Sequence, residues 1–259
     1  LEKMSFNDAL KEARSMGFAE ADPYLDISGM DSMHKIIVLS NLSFGTVVKE
    51  KDVYVEGINN INSMDVQFAD ELGYVMKLLA IASVEQHGLN VRVHPVFVSK
   101  NNLIASVNYE YNAIYVQGNA AGSTMFYGKG AGEMPTASAV LSDVIQIAKN
   151  IADGKRHLPD NIQENKIKIC PIGKIKSKYY IRFNVVDKAG VLAKISGVLG
   201  NNNISIETVI QKARHSTEKV PVVIMTYDAM EENFIKAIKK INLMKDIVKE
   251  KTVFYRVIN

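Results

Sequence analysis

Cysteine is almost missing from this chain: Cys170 is the single one in 259 residues. That excludes an internal disulfide framework and fits a reducing, cytoplasmic setting. No partner pattern surrounds Cys170, so an inert thiol is expected rather than a nucleophile. Long apolar runs are lacking too. None could span a bilayer, so no membrane partner is expected, and the first residues carry no basic-then-apolar leader. Charge of one sign is also missing. The formal net charge is +3, and the basic residues are spread along the chain, so no nucleic-acid partner is expected. The histidines His34, His87, His94, His157 and His215 show no His-x-x-x-His spacing, and no metal is expected. There is no G-x-S-x-G elbow and no G-x-G-x-x-G fingerprint in a βαβ unit.

What is present is an ordinary globular composition, 47% hydrophobic and 23% charged, with length for one large domain or two smaller ones. Leu1, Met4, Phe6, Ala9, Leu10, Ala13 and Met16 recur near helical spacing. The chain therefore opens in or just before a helix, and its start reads as a cut. That helix, from about Ser5 to Met16, stops at Gly17. Ser28 can cap a second, from about Met30 to Phe44, which stops at Gly45. Val53–Val55 reads as a short strand, and Asp65–Glu85 as a helix with Phe68, Leu72, Val75, Met76, Leu79 and Ala82 on one face. An antiparallel block follows, with strands at Val91–Val98, Ala105–Tyr109, Ala113–Gln117 and Ser123–Tyr127. Tyr111-Asn112 and Asn119–Gly122 supply its turns. A helix from Pro135 to Asp153 closes at Gly154. Lys155–Lys178 reads as a linker, with a short strand at Ile167–Ile169. From Tyr179 the order is strand Tyr180–Val186, helix Val191–Leu199, strand Ile204–Gln211, strand Val220–Tyr227, helix Glu231–Ile241 and strand Val248–Val257. That βαββαβ order is ferredoxin-like. The class expected is α+β, a mixed or antiparallel sheet with helices followed by the βαββαβ unit.

Three stretches carry chemistry. In Gly17–Lys35 four carboxylates, two glycines and a lysine crowd a loop and the first turn of a helix. Asp31 and Lys35 are four apart and share a helix face. Alone they make a surface ion pair; beside Glu20, Asp22 and Asp26 they make a site that can grip an ammonium or hydroxyl group and pass a proton to a carbonyl oxygen. The second stretch is Gly128-Lys129-Gly130-Ala131-Gly132 before the helix opening at Pro135. It is either a tight strand-to-helix turn or a loop that a polar ligand can touch. The third is Asp187-Lys188-Ala189-Gly190-Val191-Leu192, with Asn203-Ile204 after the helix; turn chemistry alone would also explain it.

These motifs make the chain similar to the homoserine dehydrogenase family, along its whole length but without that family's N-terminal nucleotide-binding domain. Gly17–Pro23 with Gly29–Asp31 and Lys35, and Gly128–Gly132 with Pro135–Ala137 and Asp143, are specific to it. The third stretch resembles an ACT regulatory domain. The resemblance implies a substrate-binding and dimerisation domain over 1–156, a linker over 157–177 and an ACT domain over 178–259. It implies NAD(P)-dependent interconversion of L-homoserine and L-aspartate 4-semialdehyde, in threonine, methionine and isoleucine biosynthesis. Glu20, Asp26 and Asp31 would bind homoserine, and Lys35 would carry the proton. Gly17 and Gly132 would approach the nicotinamide. Asp187, Gly190, Val191, Leu192, Asn203 and Ile204 would hold an effector, L-threonine by resemblance, where two copies meet. The helix at Met134–Asp153 would return toward the nucleotide-binding domain. A homodimer or higher homo-oligomer is expected, and the isolated chain is expected to lack a complete active site. The rival expectation is a non-catalytic amino-acid-sensing protein that uses the ACT unit alone.

Overall fold

The computed structural model describes residues 6–16, 22–130, 132–154, 167–211 and 219–259. Helices α1 (Phe6–Ser15), α2 (Tyr24–Ser28) and α3 (Met30–Phe44) come first. Gly45 ends α3 in the left-handed conformation, φ 60°, and its N–H donates to the Asn41 carbonyl at 3.0 Å. Strand β1 (Tyr54–Val55) follows, as its sequence indicated, and then α4 (Ser63–Glu71). The Asn62 side chain caps α4 by accepting from the Met64 N–H at 2.9 Å.

The long helix expected over Asp65–Glu85 is not there. α4 stops before Gly73 (φ 83°), and Tyr74–Glu85 is strand β2, paired antiparallel along its length with β3 (Gly88–Ser99). Val75, Leu79 and Ile81 pack in one cluster; Leu78, Ala80 and Ala82 pack in another on the opposite face. A strand with apolar contacts on both faces reads as a nearly continuous apolar run, here broken only by Lys77 before Ser83, and such a run satisfies a helical template as readily as a strand one. The strand expected at Ala105–Tyr109 is also corrected. Leu103–Ser106 is a 3₁₀ turn, capped by Asn102, whose side chain accepts from the Ile104 N–H at 3.0 Å. Tyr111 and Asn112, read as turn residues, open strand β4 (Tyr111–Gly118), which forms a hairpin with β5 (Gly122–Lys129). Helix α5 (Glu133–Ala152) follows.

In the C-terminal part, β6 (Lys176–Val186), α6 (Val191–Gly200), β7 (Ile206–Gln211), β8 (Lys219–Thr226), the short β9 (Ala229–Met230), α7 (Glu231–Asn242) and β10 (Val253–Ile258) bear out the βαββαβ order. The last strand begins at Val253 rather than Val248, which makes only a single bridge to Val185. Ile169 likewise makes one bridge, to Leu89.

Among the described residues the fold is α+β, with one mixed sheet and the separate β4–β5 hairpin. The strand order of the mixed sheet is β1-β3-β10-β6-β8-β7, with β2 on the other edge of β3. β3 therefore joins the two parts of the chain. Tyr54 and Val55 pair with Arg92 and Val93, and further along the same edge Arg256, Val257 and Ile258 pair with Val96, Phe97 and Val98, all in parallel. α6 and α7 cover one sheet face through Val191, Ile195, Leu199, Phe234 and Ile241. α4 packs Phe68 against Phe97, Tyr180 and Tyr255 on the other. α3 packs Met33 and Ile36 on Leu89, Val91 and Val93.

Two buried arginines lie across this seam. Arg182 of β6 donates to Asp65 of α4 through Nε (2.6 Å) and Nη2 (2.8 Å), and Tyr180 Oη donates to the same carboxylate at 2.8 Å. Those hydrogen bonds raise the Arg182 pKa despite burial, and burial with the Asp65 charge raises that of Tyr180. Arg256 of β10 donates to both carboxylate oxygens of Glu231, to Oε2 at 2.9 Å. Asp65→Ala should strand the Arg182 charge and cost about 3–5 kcal/mol, read by denaturant unfolding. A loss like that of an exposed ion pair would refute the assignment.

His94 stands where β1 and β10 meet on β3. Its ring meets Tyr54 edge-on at 6.3 Å, and Nε2 has no hydrogen-bond partner among the described residues. Burial, then the Arg256 charge, holds the imidazole well below its ordinary 6.5, against the pull of the Pro95 carbonyl. Arg92 adds to the same effect. The unfolded chain therefore takes up this proton first. The stability is complete above pH 6.5 and is lost as pH falls below it. Melting temperature should drop between about pH 7 and pH 5, and His94→Gln should flatten that slope. Parallel slopes would assign the drop to other groups.

Candidate active site

The α2–α3 corner is made by one glycine. Gly29 takes φ 80°, which L side chains avoid, and its N–H donates to the Asp26 carbonyl at 3.3 Å. Met33 N–H donates back to the Gly29 carbonyl at 2.9 Å, so α3 starts directly from the corner. The corner rests on the sheet: a Cβ at Gly29 would lie 3.2 Å from Val93 Cγ1 and 3.5 Å from Val55 Cγ1. Ser28 was expected to cap α3. Its Oγ lies 3.4 Å from the Met30 N–H, a long contact, and Gly29 holds the cap position itself.

Asp26 is thus placed on α2, and Asp31 and Lys35 on the first turns of α3. Lys35 Nζ lies 2.7 Å from Asp31 Oδ2, and both side chains remain open to solvent, at 65% and 40% exposure. The ion pair expected from the spacing is formed. Neighbouring His34 reaches Glu50 at 3.5 Å. Gly17 and Glu20, which the sequence joins to this group, lie outside the described residues.

The second stretch forms a separate corner. Gly132 takes φ 118° at the start of α5, and its carbonyl accepts from Thr136 N–H (3.2 Å) and Oγ1 (2.9 Å). Among the described residues no bond joins this turn to Asp26, Asp31 or Lys35. No residue of α5 is buried, and Met134, Val140, Leu141, Val144, Ile147 and Ile151 are all exposed. The β4–β5 hairpin is similar, with Ile114, Val116 and Phe126 exposed on one face and Tyr115 and Tyr127 on the other.

In the third stretch, Gly190 (φ 86°) starts α6 and Asn203 (φ 59°) follows its end. Val191 and Ile204 are buried in the core, whereas Leu192 is exposed. Asp187 lies in the loop before Gly190.

The site can do acid–base chemistry. An ammonium held by a carboxylate on a helix face, open on one side, can meet a carbonyl or hydroxyl oxygen. Two open grooves of about 650 and 790 Å³ lie elsewhere, at α7 and beside Arg182, and neither is lined by Asp26, Asp31 or Lys35. Sequence reasoning passed over Tyr54, Glu56, Glu231 and Arg256. The available signal was Arg256, a charge inside the apolar strand Val253–Ile258.

Comparison with known proteins adds the family. Residues 1–145 match the family model described as homoserine dehydrogenase, and residues 179–242 match the ACT domain model. A homoserine dehydrogenase of Neisseria gonorrhoeae is 39% identical over 254 residues, covering 96% of this chain and 58% of its own length. The crystal structure of a homoserine dehydrogenase from Thiobacillus denitrificans superposes with a TM-score of 0.92 at 38% identity, over 100% of this chain and 59% of that one. That of S. aureus homoserine dehydrogenase at pH 7.5 gives 0.72 at 31% identity, over 99% and 60%. The chain spans about three-fifths of the length of the curated relatives it matches. With a family model across its first 145 residues and such relatives along nearly all of it, the chain belongs to the homoserine dehydrogenase family.

Proposed function

We propose that this chain supplies the substrate-binding and proton-transfer side of NAD(P)-dependent homoserine dehydrogenase, which interconverts L-homoserine and L-aspartate 4-semialdehyde. The observation that carries this is the Asp31–Lys35 pair, 2.7 Å apart on the first turns of α3 beside the Gly29 corner. Asp26 and Asp31, with Glu20, grip the amino acid. Asp31 orients Lys35 Nζ, which gives a proton to the semialdehyde oxygen in reduction and takes it from the homoserine hydroxyl in oxidation.

The cofactor supplies hydride chemistry when bound. The residues here fit only an edge of it. Gly132, with φ 118° and only the Pro135 ring near its open Cβ side among the described residues, leaves room for a flat ring. Gly17 is proposed at the nicotinamide from the family resemblance alone. The sequence has no glycine fingerprint for a pyrophosphate.

The uncovered apolar faces of the β4–β5 hairpin support a homodimer in which a second copy packs there, since an isolated two-stranded hairpin is marginal in water. Gly190 and Asn203, both at positive φ at the two ends of α6, support feedback by an amino-acid end product of threonine, methionine and isoleucine synthesis. L-Threonine is the effector proposed, bound near Asp187, Gly190, Leu192 and Asn203. Cys170, free and buried, fits a cytoplasmic protein.

Lys35→Ala in the complete protein that carries these residues should lower kcat about 10²–10⁴-fold with the melting temperature unchanged, because the side chain is exposed. Full activity in that variant would overturn the assignment. Calorimetry with threonine, methionine, isoleucine and lysine should show threonine binding. Binding of none would leave the C-terminal unit purely structural.

A further inference from the structure

β1 is two residues long, and successive side chains leave a strand on opposite faces. Val55 faces the helices α2 and α3, where it supports the Gly29 corner. The backbone just beyond it holds α2 directly. Ile58 N–H donates to the Ile27 carbonyl at 2.9 Å, and a Cβ at Gly57 would stand 2.3 Å from that same oxygen. Any rotation of β1 therefore moves Ile27, Ser28 and Gly29, and with them Asp26 and the start of α3.

On the other face Tyr54 and Glu56 are taken up by the C-terminal unit. Tyr54 Oη donates to Glu56 Oε2 at 3.0 Å. The Arg256 guanidinium lies 5.0 Å over the Tyr54 ring, with Nη1 3.6 Å from Glu56 Oε2. Arg256 is itself fixed by Glu231 at the start of α7, whose carboxylate also accepts from Tyr179 Oη at 2.7 Å. One buried cation thus has two carboxylates. Glu231, 4% exposed, already meets the need of a buried guanidinium for a bidentate partner. Glu56, 37% exposed, is surplus to that need and adds little to stability. What it does is hold the end of β1 against β10.

We propose that Glu56 is a positioning residue for the substrate-binding segment Asp26–Lys35, and that Arg256 acts through Glu56 and Tyr54 to tie that segment to α7. The inference rests on the reading of Asp26, Asp31 and Lys35 as the substrate side of the site. It makes the N-terminus of α7 and the substrate corner two ends of one rigid linkage through the sheet.

The test is Glu56→Gln in the complete protein, with Tyr54→Phe as a second variant. KM for homoserine should rise about fivefold while KM for the nicotinamide nucleotide stays unchanged, as expected when only one binding wall shifts. Hydrogen exchange at the Ile58 and Gly29 amides should become faster. A merely structural role would lower the folded fraction, reducing kcat with both KM values as in the wild type. That result, or a parallel rise of both KM values, overturns the proposal. If the wild-type protein turns over no homoserine, the functional reading fails by itself, and exchange still decides the linkage: unchanged Ile58 and Gly29 rates in Glu56→Gln overturn it.

Discussion

The edge of β3 holds the rest of the molecule in place. One strand accepts β1 at its middle and β10 near its end, one after the other in the same direction, so that two parts of the chain distant in sequence become one sheet. Backbone bonds alone would leave that junction free to slide. The side chains fix it: Asp65 with Arg182 on one face, and Glu231 with Arg256 on the other, each a bidentate pair with little access to water. Buried pairs of this kind add little net stability over apolar replacements, but they penalise every arrangement that separates them. Their value here is register.

The candidate site uses this rigidity at second hand. Asp26, Asp31 and Lys35 are solvent-facing and contribute nothing to the core, yet their corner sits on Val55 and Val93 of the junction. Solvent-facing chemistry on a fixed platform is what proton transfer needs, because a small misplacement of the donor costs much of the rate. The opposite condition holds at α5 and the β4–β5 hairpin, whose apolar faces are uncovered. Exposed apolar faces of this kind are the usual character of interaction surfaces.

Local signals were legible in the sequence. Gly45 ends α3 where a left-handed terminator was expected, and Asp31 and Lys35 meet because four residues make one helical turn. The βαββαβ order was readable from alternating patterns one element at a time. Tyr74–Glu85 was not. A half-buried strand with apolar contacts on both faces shows little polar alternation, and its twelve-residue pairing with β3 decides against helix. Ala105–Tyr109 failed for a different reason: Ala105 packs, with Ile104, from a turn that Asn102 sets. In the site, the relation of Gly29 to Val93, and of Glu56 to Arg256, depends on contacts between distant segments. No spacing in the sequence encodes those.

The parallel pairing of β3 with β10 has a consequence for how the molecule is made. Val96 and Arg256 are about 160 residues apart, and loop closure over that distance precedes any reward from the contact. During synthesis β3 therefore stands with the Val96–Val98 stretch of one edge bare until nearly the whole C-terminal unit has emerged. The wait lasts about 10–30 s at ordinary elongation rates. An open strand of Val96, Phe97 and Val98 is a template for pairing with another nascent chain, so this fold should depend on holdase protection early in its life, and far less once Val257 has docked.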